Sequence, residues 1–264
     1  VECQLIFPQR KRVKYLGQEN DQSSMPLERS VAITWSAASS AVMKSPPPLL
    51  PPRREPLPLE RGATRVLIAL NLAFFAYEQW LYRVDPGRKR WFELNHALSL
   101  EGLLRGAWWQ CLSFQFLHGG WIHLGMNLLL LNSLGPVMET TLGRWRFVLL
   151  YLVSGTLGGI LHVAGAWMMP DSFGGPVVGA SAGLCGLLAA LGALHSEERL
   201  RVLLFFVIPM EIRAKFVLLG GIVISALGAV FVVGPIAHLA HLGGFIGGLA
   251  VALALQRNLW LSTR

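Results

Sequence analysis

"SFGGPVVGASAGLCGLLAALGAL" runs from Ser172 to Leu194. From Gly179 onward it is almost entirely small and apolar, the composition of a helix built for lipid or for a tightly packed interior. One hydroxyl, Ser181, stands near its head between Gly179-Ala180 and Ala182-Gly183. A serine in a membrane helix ordinarily bonds a carbonyl one turn back or helps helices pack. Whether this one does more depends on what the rest of the chain brings to the same depth.

The chain has 264 residues, 53% hydrophobic and only 14% charged. Charge that sparse, broken by long apolar runs, indicates a multi-spanning membrane protein. The net charge of +8 does not point to nucleic acid, because the basic residues gather in the N-terminal tail and at helix ends, where they orient membrane helices. Cys3, Cys111 and Cys185 are an odd, scattered set without a CxxC pair, which argues against a disulfide framework and a zinc knuckle. No secretory leader opens the chain at Val1, and Met25 is a candidate start.

Residues 1–62 are polar, basic and rich in Pro and Ser, with the run "KSPPPLLPPRREPLPLERG" near their end. This part reads as a disordered cytoplasmic tail. Residues 63–258 read as one six-helix membrane domain. A crossing takes roughly 20 apolar residues, and six segments qualify: 64–82, 115–135, 146–169, 177–196, 214–233 and 236–256. The stretch "VLLFFVI" at 202–208 would cover only ~10 Å as a helix before Pro209 and Glu211. It reads as an interfacial stub.

Orientation follows from Lys and Arg. This topology puts eighteen of the 23 on the side of both termini and five on the other, all five in the long 1–2 loop. The positive-inside rule therefore places both termini in the cytoplasm. The 1–2 loop also carries Trp91, Phe92, Trp108 and Trp109, as a segment lying in the outer interface does.

With that parity, spans 2, 4 and 6 all start at the outer face. They open with "HGGWIHLGMNLLLL", "VVGASAG" and "AHLAHLGGFIGG". Ser181 and His241 then sit on the order of 6–8 Å below the outer boundary. His123 and Asn127, four apart, share one face of span 2. Intramembrane polar residues are costly and usually face a bundle interior or a wet cavity. A serine becomes a nucleophile when a neighbouring base takes its proton, and histidine suits that task near neutral pH. His123, Asn127 and the Ser181 backbone N–H can supply donors for a tetrahedral oxyanion. This reading has no carboxylate at that depth to make a triad, so the expectation is a Ser181–His241 dyad. His238 is the competing base, but it lies nearer the surface and lacks the Gly-Gly that follows His241.

The chain resembles the rhomboid family of intramembrane serine proteases over about residues 64–256. The resemblance is carried by H-x4-H-x3-N (His118, His123, Asn127), G-x3-E-x3-G (Gly135, Glu139, Gly143), GASAG around Ser181, and A-H-x-G-G followed by Gly247 and Gly248. It implies a six-helix core, Ser181 as nucleophile and His241 as base. It also implies an oxyanion site with His123, Asn127 and the Ser181 N–H, with Gly179, Gly244, Glu139 and His118 in support. Implied partners are transmembrane protein substrates entering laterally past span 5, and membrane lipid; no metal, organic cofactor or nucleic acid is implied. The expected location is a bacterial inner (plasma) membrane, because nothing in the tail resembles an Arg-rich amphipathic presequence, with an organellar membrane as the alternative; the charge distribution has the site opening outward. Nothing in the sequence sets the oligomeric state.

Two positions depart from the family pattern. Gln110 follows Trp109 where the family often has Arg, so a loop ion pair is expected to be missing. Cys185 stands four residues after the serine, where an aromatic ring commonly stacks on the imidazole; His241 is then oriented less firmly, or by another residue. Cys185 itself reads as packing, Glu139 as a structural tie at the inner face, and His118 as a brace for the first loop. Two rival functions fit the sequence less well. A catalytically inactive rhomboid-like protein that binds membrane clients typically lacks the serine or the histidine. A transporter or metal channel using His118, His123, His238 and His241 lacks an HExxH motif, a carboxylate ligand set and inverted repeats.

Overall fold

A computed structural model of the protein describes residues 62–204, 208–232 and 236–262. The expected tail, 1–62, lies outside the described residues except for Gly62, where the first helix begins. In chain order the elements are α1 (Gly62–Val84), α2 (Pro86–His96), α3 (Leu100–Leu104), α4 (Gln110–Ser113) and, after a 3-10 turn at Phe114–Phe116, α5 (Trp121–Leu142). Then follow α6 (Arg144–Met168), α7 (Pro170–Phe173), α8 (Ser181–Leu194), strands β1 (Arg199–Leu204) and β2 (Ile208–Arg213), α9 (Ala214–Phe231) and α10 (His238–Ser262).

Among the described residues, three helices are long and apolar enough to cross a bilayer: α6, α9 and the His238–Leu255 part of α10. Helices α1 and α5 match them in length, at 23 and 22 residues, but interleave Asn71 and Glu78, or His123, Asn127 and Glu139, among their apolar residues. Helix α8 differs from expectation. The predicted crossing at 177–196 is helical only over 14 residues, 181–194. Residues 177–180 are apolar enough to pass for helix, but Gly179 takes φ +120°, a conformation that breaks a right-handed helix and that L side chains rarely adopt. The result is a central helix of ~21 Å against a hydrocarbon thickness of ~30 Å.

Helix α8 is buried along most of its length, at Ala182–Leu184, Gly186, Leu187 and Ala189–Gly192. Leu131, Leu134 and Met138 from α5, and Phe147, Leu150 and Tyr151 from α6, pack into one core with Leu184, Leu187 and Leu191. On its other side α10 approaches so closely that a Cβ at Gly244 would stand 2.2 Å from the Ala182 carbonyl oxygen, and one at Gly248 2.3 Å from that of Gly186. Helix α6 closes the trio, since a Cβ at Gly158 would meet the Ala240 carbonyl oxygen at 2.3 Å. Backbone contact of this kind is what small residues permit where apolar burial cannot drive helices together. Helix α9 stands apart: only Ala214, Ser225 and Gly228 are buried along it.

At the opposite end of α5 from His123, Glu139 caps another helix. Its carboxylate accepts from the Ala63 N–H (2.8 Å), the Thr64 N–H (2.9 Å) and the Thr64 hydroxyl (2.8 Å). These amides belong to the first turn of α1, which has no acidic side chain of its own there. The Arg144 guanidinium stands 4.0 Å away.

The described residues of 202–208 do not form the short helix expected of that stretch. Strands β1 and β2 pair antiparallel from Arg199↔Arg213 to Leu204↔Ile208. Seven residues ahead of a proline cannot repay helix nucleation, whereas Val202, Ile208 and Ile212 suit a strand. At the base of the hairpin Arg213 pairs with Glu197 at 3.0 Å, and Lys215 bonds the same carboxylate. The Lys215 bond, with the nearby Arg213 charge, holds the Glu197 carboxyl below the usual carboxylate range.

Replacing Glu139 with Ala strands three buried donors. A loss of about 3 kcal/mol or more is expected, read as an earlier unfolding transition in detergent, with Glu139→Gln intermediate between Ala and wild type.

Candidate active site

The chain reaches Ser181 through a tethered extended segment. Val177 and Leu98 exchange backbone bonds at 2.8 and 3.0 Å, and the Gly179 N–H donates to the Phe114 carbonyl at 2.9 Å. The loop between α1 and α5 therefore grips the two residues that lead into α8. His162 is buried on α6 and bonds the Gly175 carbonyl from Nε2 at 3.3 Å.

Ser181 is the first residue of α8, after Ala180, which offers no side-chain cap. The first intrahelical bond is Leu184 N–H to the Ala180 carbonyl. The amides of Ser181, Ala182 and Gly183 thus have no partner within the helix and form a positive helix end. His241, in the first turn of α10, puts Nε2 2.7 Å from the Ser181 Oγ. With Nε2 unprotonated the hydroxyl donates to it, the arrangement that general-base activation requires. His238, the competing base, is buried on the same helix with its ring edge-on to His241 at 6.3 Å. Its ring lies against α9, where a Cβ at Gly228 would stand 2.4 Å from it.

His123 reaches the serine from α5. A Cβ at Gly179 would stand 2.7 Å from its Cε1 and Nε2, and 3.8 Å from the Ser181 Oγ. The His123 Nδ1 accepts from the Gly119 N–H at 3.4 Å. That bond leaves the proton on Nε2, the nitrogen facing Gly179. Asn127, buried one turn farther along, donates from Nδ2 to the His123 carbonyl at 2.9 Å and retains a second N–H. His118 is buried with its Nδ1 3.3 Å from the Phe116 carbonyl and its ring edge-on to His123 at 5.1 Å.

The geometry thus gathers Ser181, His241, His123, Gly179 and Gly244, with Asn127 and His118 behind His123. Glu139 does not join them; it lies twelve residues past Asn127 on α5, ~18 Å along the axis. Gln110, where an arginine was anticipated, is fully buried; its amide accepts from the Ser99 N–H (3.2 Å) and donates to the Leu94 carbonyl (3.1 Å). A neutral amide therefore ties the first loop together. Half-buried Cys185 lies one turn beyond the serine, and among the described residues the ring contact to His241 comes from His238.

Sequence reading missed one group. Glu78 on α1 is 1% exposed, and its carboxylate accepts from the His118 N–H at 3.4 Å. The signal was present, because Glu78 is the sole acidic residue between 64 and 82.

A family model described as "Rhomboid domain" matches residues 105–258, more than half of the chain. The chain belongs to the rhomboid family. It is similar to "Rhomboid protease GluP" of Bacillus subtilis, 35% identical over 73% of this chain and 34% of that protein. It is also similar to "Rhomboid-type serine protease 2" of Emericella nidulans, 31% identical over 57% of this chain and 27% of that one. "RHOMBOID-like protein 5" of Arabidopsis thaliana is 30% identical over 80% of this chain and 73% of its own length. The alignments thus span about a third of the bacterial and fungal relatives. Family membership and the apolar helices together make this rhomboid chain an integral membrane protein.

Gly179→Ala is expected to force the His123 ring away from the serine and to strain the backbone at φ +120°. The rate of Ser181 labelling by a fluorophosphonate should fall about 100-fold, while the far-UV circular dichroism spectrum stays that of the wild type.

Proposed function

We propose that this rhomboid chain is an intramembrane serine endopeptidase that cleaves peptide bonds in or near transmembrane segments of other membrane proteins. The observation that carries this reading is the 2.7 Å contact between the His241 Nε2 and the Ser181 Oγ, made at the uncapped start of a helix. Relatives named as rhomboid proteases agree with it.

In the first step the Ser181 Oγ attacks the scissile carbonyl carbon and its proton passes to His241 Nε2. Negative charge moves to the carbonyl oxygen. The Ser181 N–H, the His123 Nε2–H and the second Asn127 N–H are the donors for that oxyanion. Collapse breaks the C–N bond, and His241 returns the proton to the leaving amine. Water, deprotonated by His241, then attacks the acyl carbon; the ester C–O bond breaks and His241 returns the proton to the Ser181 Oγ. No step calls for a metal or an organic cofactor.

The bilayer setting follows from the same geometry. Helices α5, α8 and α10 meet at their N-terminal ends, so all three run the same way through the membrane. A 14-residue α8 leaves ~9 Å of the hydrocarbon depth above Ser181, room for water to reach the acyl-enzyme. We assign six crossings (α1, α5, α6, α8, α9, α10), both termini in the cytoplasm and a site opening to the outer face of a bacterial inner membrane. Substrates enter sideways past α9, the least buried of the six.

A fluorophosphonate should label the wild type in detergent or liposomes, Ser181→Ala should not label, and His241→Ala should label far more slowly. Asn127→Ala should cost ~2–4 kcal/mol in turnover of a model transmembrane substrate. Labelling or cleavage that survives in Ser181→Ala would refute the assignment. A wild type that binds a transmembrane client but neither labels nor cleaves would favour the inactive, client-binding reading.

A further inference from the structure

The dyad chemistry leaves Glu78 without a task. It sits on α1 six residues before the helix ends at Val84, ~9 Å along the axis, and is almost fully buried. An ionisable side chain inside a membrane helix is costly to keep and marks a functional site unless its partner says otherwise. Here the partner is the backbone N–H of His118, which begins the short turn leading into α5. That turn holds the His123 imidazole at two points. The Gly119 N–H bonds Nδ1, and the His118 ring packs edge-on against the His123 ring at 63°. The imidazole so held lies on Gly179 beside the serine oxygen.

We propose that Glu78 is a positioning residue: from α1 it anchors the His118–Gly120 turn and thereby aims the His123 Nε2–H at the oxyanion site. The inference rests on the dyad reading for what happens at that site. Glu78 touches none of the reacting atoms, and its influence passes through the turn. The loop before α5 carries Gly119 and Gly120, so without a fixed point on α1 the imidazole could tilt while the helix behind it stayed in place.

The test uses the full chain in liposomes with Glu78→Gln, Glu78→Leu, His123→Ala and the double variant Glu78→Leu/His123→Ala. Gln keeps an acceptor for the His118 amide; Leu fills the space without one. Glu78→Leu should lower kcat on a model transmembrane substrate about tenfold or more, with KM held within about twofold. Glu78→Gln should keep about a third or more of wild-type turnover. The double variant should be no slower than His123→Ala alone, because both changes act on one donor. A readout independent of activity is the ring ¹⁵N spectrum of His123: proton on Nε2 in wild type and Glu78→Gln, shifted in Glu78→Leu.

Wild-type kcat in Glu78→Leu, fully additive losses in the double variant, or an unchanged His123 spectrum would each overturn the proposal. A wild type inert to fluorophosphonate would instead sink the dyad reading, and the His123 spectra would still decide the role of Glu78.

Discussion

A hydrogen bond between residues 181 and 241 requires two helices to come closer than ordinary side chains allow. Helices α8 and α10 meet with Gly244 against the Ala182 carbonyl and Gly248 against that of Gly186. Any β-carbon at these places would drive α10 outward by more than the 2.7 Å bond could follow. Lipid chains are as apolar as leucine, so nothing like the hydrophobic effect pushes these helices together. Close backbone packing does, and it brings the imidazole to the hydroxyl as a consequence. Packing and chemistry here are one constraint, which is why the glycines surround the polar pair instead of lying elsewhere along the helices.

A second constraint acts along the membrane normal. A polar pair at the surface would meet water but no transmembrane segment; one at the midplane would meet the segment but no water. On the proposed reading, starting α8 at Ser181 resolves this, because the chain leading into the serine is not helical and is held by the first loop at Val177 and Gly179. The same ending presents unpaired helix amides where an oxyanion would form. Relatives of this rhomboid chain are named as proteases, and the first-loop ties through Gln110 show how a chain with a neutral amide at that position keeps the loop in place.

Much of this could be read from residues alone, and the reasons are physical. Apolar runs of sufficient length announce themselves. Ser181, His123 and His241 stood out because polar groups are expensive in such runs. What escaped was backbone conformation and side-chain reach. Hydropathy cannot see that Gly179 turns the chain away from helix, so the fourth crossing was drawn four residues too early. It also cannot tell a short apolar helix from the strands at 199–204 and 208–213, where the pairing of one with the other decides. Glu78 escaped because its partner is a backbone amide from the loop ahead of α5, a pairing that residue types and spacing do not reveal. Residues 1–61 lie outside the described structure, and the expectation of a disordered tail stands apart from these findings.

The central claim is that a serine inside an apolar bundle is reached by water and served by an imidazole. Thiol chemistry tests both parts directly. With Cys3, Cys111 and Cys185 replaced by Ala, the variant Ser181→Cys in liposomes should react with a charged, membrane-impermeant methanethiosulfonate. The reaction should slow when His241 is also changed to Ala, and Leu187→Cys, farther down the same helix, should stay protected. A thiol at 181 as unreactive as one at 187, or one indifferent to the loss of His241, would contradict the account.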